Sequence, residues 1–205
     1  PFPLPRYATH LLERSVKEGI SNRILTTTID KKLQIKCRSI VKKHQKLLQA
    51  NHIYNAAIFV MEVETGNIIS YIGNTEKTNE NHGQDVDIVM SNRSTGSLLK
   101  PLLYAECLKD GSLLPEMLVD DIPTQIAGYS PKNYNKTYDG VVPAKRVIAR
   151  SLNIPSVKLL QEYKYERFHF QLKNMGMSTL VHSADHYGLS LILGGSEGKL
   201  EEMCG

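Results

Sequence analysis

Residues 56–74 read AAIFVMEVETGNIISYIGN, two apolar runs separated by Glu64-Thr65-Gly66-Asn67. Runs rich in β-branched residues on either side of a short Gly-containing turn predict an antiparallel hairpin. Both runs are apolar with little alternation, so both faces of the hairpin need cover. Helices packed against it are the simplest source of that cover.

The flanking sequence supplies them. Leu33, Cys37, Ile40, Val41, Leu47 and Leu48 follow helical spacing, and Asp30 stands where an N-cap belongs. Between Lys31 and Lys46 this helix carries seven basic residues and no acid. Helical spacing places them on a solvated face; no aromatic residue interleaves them as a stacking platform for nucleic acid would require. A helix from Ser97 to about Asp110, closed by Gly111, is apolar nearly all round and therefore predicted to be central. PAKRVIARS reads as a helix halting at Ser151, and a new one starts with Pro155 near its first position. YERFHFQLKNMGM gives a further helix, and KLEEMCG the beginning of another. RILTTTID (23–30) is strand-like, residues 74–87 read as a polar mobile loop, and GYSPKNYNKTYDGVV (128–142) as a loop rich in tyrosine and asparagine.

A chain of 205 residues can bury one domain plus a short lead-in. No apolar run approaches the roughly 18 residues of a membrane span. The opening PFPLP suits an extended linker, and a start at Pro1 reads as an excised piece of something longer. Cys37, Cys107 and Cys204 form neither a disulfide framework nor a metal cluster. His182 and His186 share i,i+4 spacing without a glutamate between them or an obvious third ligand. LGGSEGKL fails as a phosphate loop in its glycine spacing and in the leucine after its lysine. No cofactor or metal is expected.

Ser-x-x-Lys occurs at Ser39/Lys42, Ser97/Lys100 and Ser196/Lys199. Only the second combines a preceding glycine, a helix start and surrounding leucines. A serine hydroxyl needs a neighbouring base to become a nucleophile. Burial of the amine among leucines, at the positive end of a helix, would favour the neutral form that can act as that base. The same helix start offers a backbone N–H to an oxyanion. Ser151-Leu152-Asn153 is the only Ser-x-Asn among fifteen serines and falls at the break between two helices. Taken alone, it could be a pair of helix caps.

Ser-x-x-Lys followed by Ser-x-Asn is the signature of penicillin-binding proteins and serine β-lactamases. RSTGSLLKPLLYA resembles the nucleophile helix of class A penicillin-binding transpeptidases, whose usual form has proline where this chain has Thr95. TTTIDKKLQ, VMEVETGNIISYIGN, YSPKNYNKTYDGVV, ARSLNIPSVKLL and YGLSLILGGSEGKLEEM follow in the order of those domains, most like the 1C subtype.

The resemblance implies an α/β (α+β) transpeptidase fold, an antiparallel sheet flanked by helices. Residues 1–22 would be a linker and lead-in helix from an upstream glycosyltransferase domain, and 23–205 the N-terminal part of the transpeptidase domain. It further implies Ser97 as the acylated nucleophile and Lys100 as its base. Ser151 would relay a proton, and Asn153 would hold substrate backbone and position Lys100. Partners would be peptidoglycan stem peptides ending in D-alanyl-D-alanine, and β-lactam antibiotics, with no nucleic acid. The parent would be a membrane-anchored bifunctional enzyme on the periplasmic face of the bacterial inner membrane.

The family's third motif, Lys-Thr-Gly or Lys-Ser-Gly, has no counterpart: Lys77-Thr78-Asn79 and Lys136-Thr137-Tyr138 both fail at the glycine. A truncated domain without its C-terminal strands, inactive as an isolated piece, is therefore expected. Two alternatives share part of the pattern. One is a β-lactamase or D,D-carboxypeptidase of the same superfamily; the other is a non-catalytic module binding peptidoglycan or β-lactams.

Overall fold

In the computed structural model, which describes residues 6–20, 23–77, 82–126 and 128–205, the chain forms two units. One comprises Pro1–Asn92 with Lys199–Gly205, the other Arg93–Gly198.

In the first unit the hairpin forms as read. Strands β1 (Ile58–Met61) and β2 (Ile68–Ile72) pair antiparallel, with a register shift between Val60 and Met61. Gly66 takes a φ of +70° in the connecting turn, a conformation that favours glycine. Helices α1 (Thr9–Lys17) and α2 (Lys31–Leu48) pack on β2. Asp30 caps α2, its Oδ1 accepting from Leu33 N at 2.6 Å. Cys37 and Val41 of α2 meet Ile72 in a buried cluster joined by Leu33, Ala56, Ile58 and Val60. α2 has both a solvated basic face and an apolar one because its sequence period matches the helix.

A polar suture runs beside this cluster. Gln34, fully buried on α2, accepts from Ser70 Oγ and Tyr71 N through its Oε1, at 2.9 and 2.8 Å. Its Nε2 donates to Tyr71 O at 2.8 Å and to Tyr7 O at 2.9 Å. One side chain thus completes the backbone hydrogen bonding of a strand residue with nowhere else to turn.

Two readings change here. RILTTTID makes no regular strand; its contacts with the hairpin are Asp30 N to Ile69 O at 3.0 Å and Thr28 Oγ1 to Ile68 O at 2.7 Å. β-Branched residues favour extended backbone, but a strand also needs a paired neighbour along its length. In the loop read as mobile, residues 78–81 lie outside the described residues. Its two ends are held together by Asn74, whose Nδ2 donates to Val86 O at 2.9 Å.

The second unit contains two short antiparallel pairs. β3 (Arg93–Ser94) pairs with β6 (Glu197–Gly198), and β4 (Leu118–Asp121) with β5 (Gly140–Pro143). Its helices are α3 (Lys100–Lys109), α4 (Ala144–Ala149), α5 (Asn153–Tyr163), α6 (Tyr165–Asn174) and α7 (Ala184–Tyr187). The leucine-rich α3 is not the central one. Leu98 lies outside it and is 63% exposed, whereas α5 buries Ile154, Val157, Leu159, Leu160 and Tyr163. α5 contacts α3, α6, β4 and the 3-10 turn Gly188–Leu193. Pro155 sits in its first turn, where backbone N–H groups have no partner within the helix. The chain's last helix, α8 (Leu200–Cys204), belongs to the first unit and ties to it through Leu200 N to Val89 O at 3.0 Å.

Replacing Gln34 by leucine leaves buried groups of Ser70 and Tyr71, and the carbonyl of half-buried Tyr7, without their partner. The expected destabilisation is about 2–4 kcal/mol. Amide exchange at Tyr71 should then be at least about tenfold faster, because its N–H has lost its acceptor. Unchanged exchange at Tyr71 would show that the suture contributes nothing.

Candidate active site

The four residues singled out from sequence all lie in the second unit, and three of them meet directly. Lys100, at the start of α3, is 2% exposed. Its Nζ donates to Ser151 O at 2.8 Å, to Ser151 Oγ at 3.1 Å and to Asn153 Oδ1 at 2.6 Å. All three acceptors are neutral. They satisfy the ammonium's donors without a counter-charge, so removal from water governs the proton equilibrium. Burial lowers the Lys100 pKa to about 8.

Ser97 precedes α3 in a turn, not in the helix as the sequence suggested. Leu98 N donates to Thr95 O at 3.0 Å and Lys100 N to Ser97 O at 3.2 Å, so the turn is tighter than an α-helix. The Ser97 side chain is exposed. Among the described residues, neither its hydroxyl nor its backbone N–H makes a hydrogen bond. A free hydroxyl beside a free N–H is what a nucleophile and an oxyanion donor both require.

The segment before Ser97 is clamped by the glycine-rich stretch dismissed as a phosphate loop. Thr95 N donates to Ser196 O at 3.0 Å, and the two hydroxyls lie 3.2 Å apart in the interior. Proline, the residue usual in the resembled family, could not make that backbone bond. A Cβ on Gly194 would lie 2.7 Å from Ser94 Oγ and 2.8 Å from Gly96 Cα, so only glycine fits against this turn. The other two Ser-x-x-Lys pairs have different surroundings. Lys42 pairs with Glu76 at 3.3 Å and Lys199 with Glu202 at 3.2 Å.

The helix break at Ser151 is a C-terminal cap of defined type. Ser151 N donates to Ile148 O at 3.1 Å and Leu152 N to Val147 O at 3.0 Å. These are the two bonds of a Schellman motif, in which the residue after the cap turns left-handed. That residue is Ser151, with a φ of +52°. Leu152 buries itself against Val142 and Val147, the apolar contact that accompanies the motif. The middle residue of Ser-x-Asn is therefore an anchor, and the turn presents both the carbonyl and hydroxyl of Ser151 to one amine.

Asn153 opens α5. Its Nδ2 donates to Lys132 O at 2.9 Å, which leaves Oδ1 to face Lys100. A backbone carbonyl in the tyrosine-rich loop thus orients the amide, and no residue type at position 132 could signal it in sequence. Among the described residues no group of three or more histidine, cysteine or acidic side chains is placed to hold a metal ion. The rings of His182 and His186 lie in tilted contact, with centroids 4.2 Å apart.

Left-handed backbone costs a serine or alanine about 1 kcal/mol that glycine does not incur. Ser151→Gly is therefore expected to unfold at a higher denaturant concentration than Ser151→Ala, both lacking the hydroxyl. Equal or reversed midpoints would contradict the left-handed turn.

Comparison with known proteins places the chain. The family model for the penicillin-binding protein transpeptidase domain matches residues 56–194, more than half of the chain. Penicillin-binding protein 1C of Escherichia coli (strain K12) is 30% identical over 203 residues, which span 99% of this chain and 26% of that protein. Penicillin-binding protein 1F of Bacillus subtilis (strain 168) is 28% identical over 170 residues, 82% of this chain and 22% of that one. The chain thus spans about a quarter of the length of these relatives. In fold it matches the PonA1 protein from Mycobacterium tuberculosis, solved in complex with penicillin V. The TM-score is 0.71 at 16% identity, covering 95% of this chain and 56% of that one. With the lysine of its Ser-x-x-Lys motif bonded to both polar residues of its Ser-x-Asn motif, the chain belongs to the penicillin-binding protein transpeptidase family.

Proposed function

We propose that the full-length protein carrying this chain is a peptidoglycan D,D-transpeptidase in which Ser97 is acylated by D-alanyl-D-alanine stem peptides. The observation that carries the reading is the buried Lys100 amine, with a pKa lowered to about 8 and oriented by Ser151 and Asn153.

In this reading neutral Lys100 accepts the Ser97 proton as Ser97 Oγ attacks the penultimate D-alanine carbonyl. The developing oxyanion accepts from the free Ser97 N–H. Collapse breaks the peptide bond and expels D-alanine, whose amine receives the proton from Lys100 through Ser151 Oγ, 3.1 Å away. The resulting ester on Ser97 is then attacked by an amine of a neighbouring stem. A peptide cross-link forms, and the proton of the attacking amine returns to Ser97. Asn153 holds Lys100 and offers its amide edge to the substrate backbone.

The names of the relatives support penicillin as a ligand, since a β-lactam carries a strained amide in place of the scissile bond. The match to the transpeptidase-domain family model favours amine capture over hydrolysis of the ester. In the same reading residues 1–22 are a linker and lead-in helix from a glycosyltransferase domain, and 23–205 the N-terminal part of the transpeptidase domain. A membrane-anchored parent working at the periplasmic face of the inner membrane fits the same relatives. Among the described residues no helix is long and apolar enough to cross a membrane.

Intact-mass measurement after incubation with penicillin tests the reading. The full-length protein should carry one stable adduct on Ser97, and Ser97→Ala none. The 205-residue chain alone, which has no Lys-Thr-Gly or Lys-Ser-Gly triplet, should label slowly or not at all. A full-length protein that never takes the label refutes the assignment, and an adduct lost within seconds would favour a β-lactamase.

A further inference from the structure

We infer that Asn133, held by the buried carboxylate of Asp121, is a positioning residue that sets where Asn153 meets Lys100; the inference rests on the acylation reading above. α5 begins without a cap of its own. Leu152, in the N-cap position, has no side-chain acceptor for the first N–H groups of the helix. Asn133, from the loop between β4 and β5, supplies one from outside: its Oδ1 accepts from Asn153 N at 2.9 Å and lies 3.4 Å from Ile154 N.

The amide is held by a chain of partners. Asn133 Nδ2 donates to Asp121 Oδ1 at 2.7 Å and to Thr137 O at 3.0 Å. Asp121 Oδ2 accepts in turn from Asp139 N at 3.0 Å. Asn133 is 3% exposed and Asp121 fully buried, so neither can exchange these partners for water. With two acceptors on its nitrogen side, the Asn133 amide has one orientation, and its oxygen must face α5. The chain Asp139 N–H, Asp121, Asn133, Asn153 N–H therefore fixes the residue whose Oδ1 sits 2.6 Å from Lys100 Nζ. The Asn133 side chain hydrogen-bonds neither Lys100 nor Ser97; it acts through Asn153. Misplacement of a reacting group by about 1 Å can cost 10²-fold in rate.

The test is penicillin acylation of the full-length protein, followed for its first-order rate at saturating penicillin and for the fraction of chains finally acylated. Asn133→Ala should lower the rate about 10–100-fold while the acylated fraction stays near one per chain. Asp121→Asn, an isosteric change, sets an amide NH₂ against either Asn133 or Asp139 N–H. It should lower the rate about tenfold alone, yet add little in the Asn133→Ala background, because it acts through Asn133. Should Asn133→Ala fail to fold, Asp121→Asn alone carries the test. A wild-type rate with a reduced acylated fraction would make the network merely structural, and a wild-type rate with a full fraction would remove it altogether. If the unmutated protein never acylates at Ser97, the functional reading fails first and this inference falls with it. Acylation that is normal in the unmutated protein and in these variants overturns the inference alone.

Discussion

An amine taken out of water and given only neutral oxygens is the interaction on which the second unit depends. Lys100 Nζ has the carbonyl and hydroxyl of Ser151 and the amide oxygen of Asn153 as partners. A carboxylate in any of these positions would pair with the charged form and hold the amine protonated. Dipoles satisfy the donors but compensate the lost hydration only in part, so the pKa falls to about 8. The arrangement resolves two opposing demands. A buried lysine must have partners, while a lysine base must be able to lose its proton.

Packing elsewhere in the unit holds those oxygens in place. Leu152 lies between the two functional residues of its motif and buries itself with Val142 and Val147, so the β4–β5 pair and α4 share one small apolar cluster with the site. The left-handed backbone at Ser151 is the local cost of pointing two oxygens of one residue at the same amine. Across the cluster, the Thr95–Ser196 contacts and the close approach of Gly194 to Gly96 constrain the turn that bears Ser97. Ser97 itself is left exposed, with its hydroxyl and backbone N–H unused among the described residues.

Much of this was legible in the sequence wherever a local pattern decided the outcome. The hairpin followed from two apolar runs about a Gly-containing turn, α2 from periodicity and Asp30, and the helix break from the sequence around Ser151. Local patterns failed where tertiary partners decide. The leucines around Ser97 suggested a central helix, but Leu98 faces outward and α5 takes the centre. The threonines of 23–30 suggested a strand that finds no paired neighbour. Gly194 is a packing necessity visible only once Gly96 lies against it. Asn133 is one of two asparagines in a tyrosine-rich loop, and its sequence neighbours carry no sign that it caps a helix twenty residues away.

The central claim is that the group removing the Ser97 proton is a buried amine titrating near 8. The pH dependence of penicillin acylation in the full-length protein tests it most directly. Below the folded pKa Lys100 is protonated and cannot act as a base, so the rate should rise with pH. It should increase about tenfold between pH 7 and pH 9 and level off above that range, as one group with a pKa near 8 loses its proton. A rate that is flat from pH 6 to 9, or that rises only towards the ordinary lysine value near 10.4, would contradict the account.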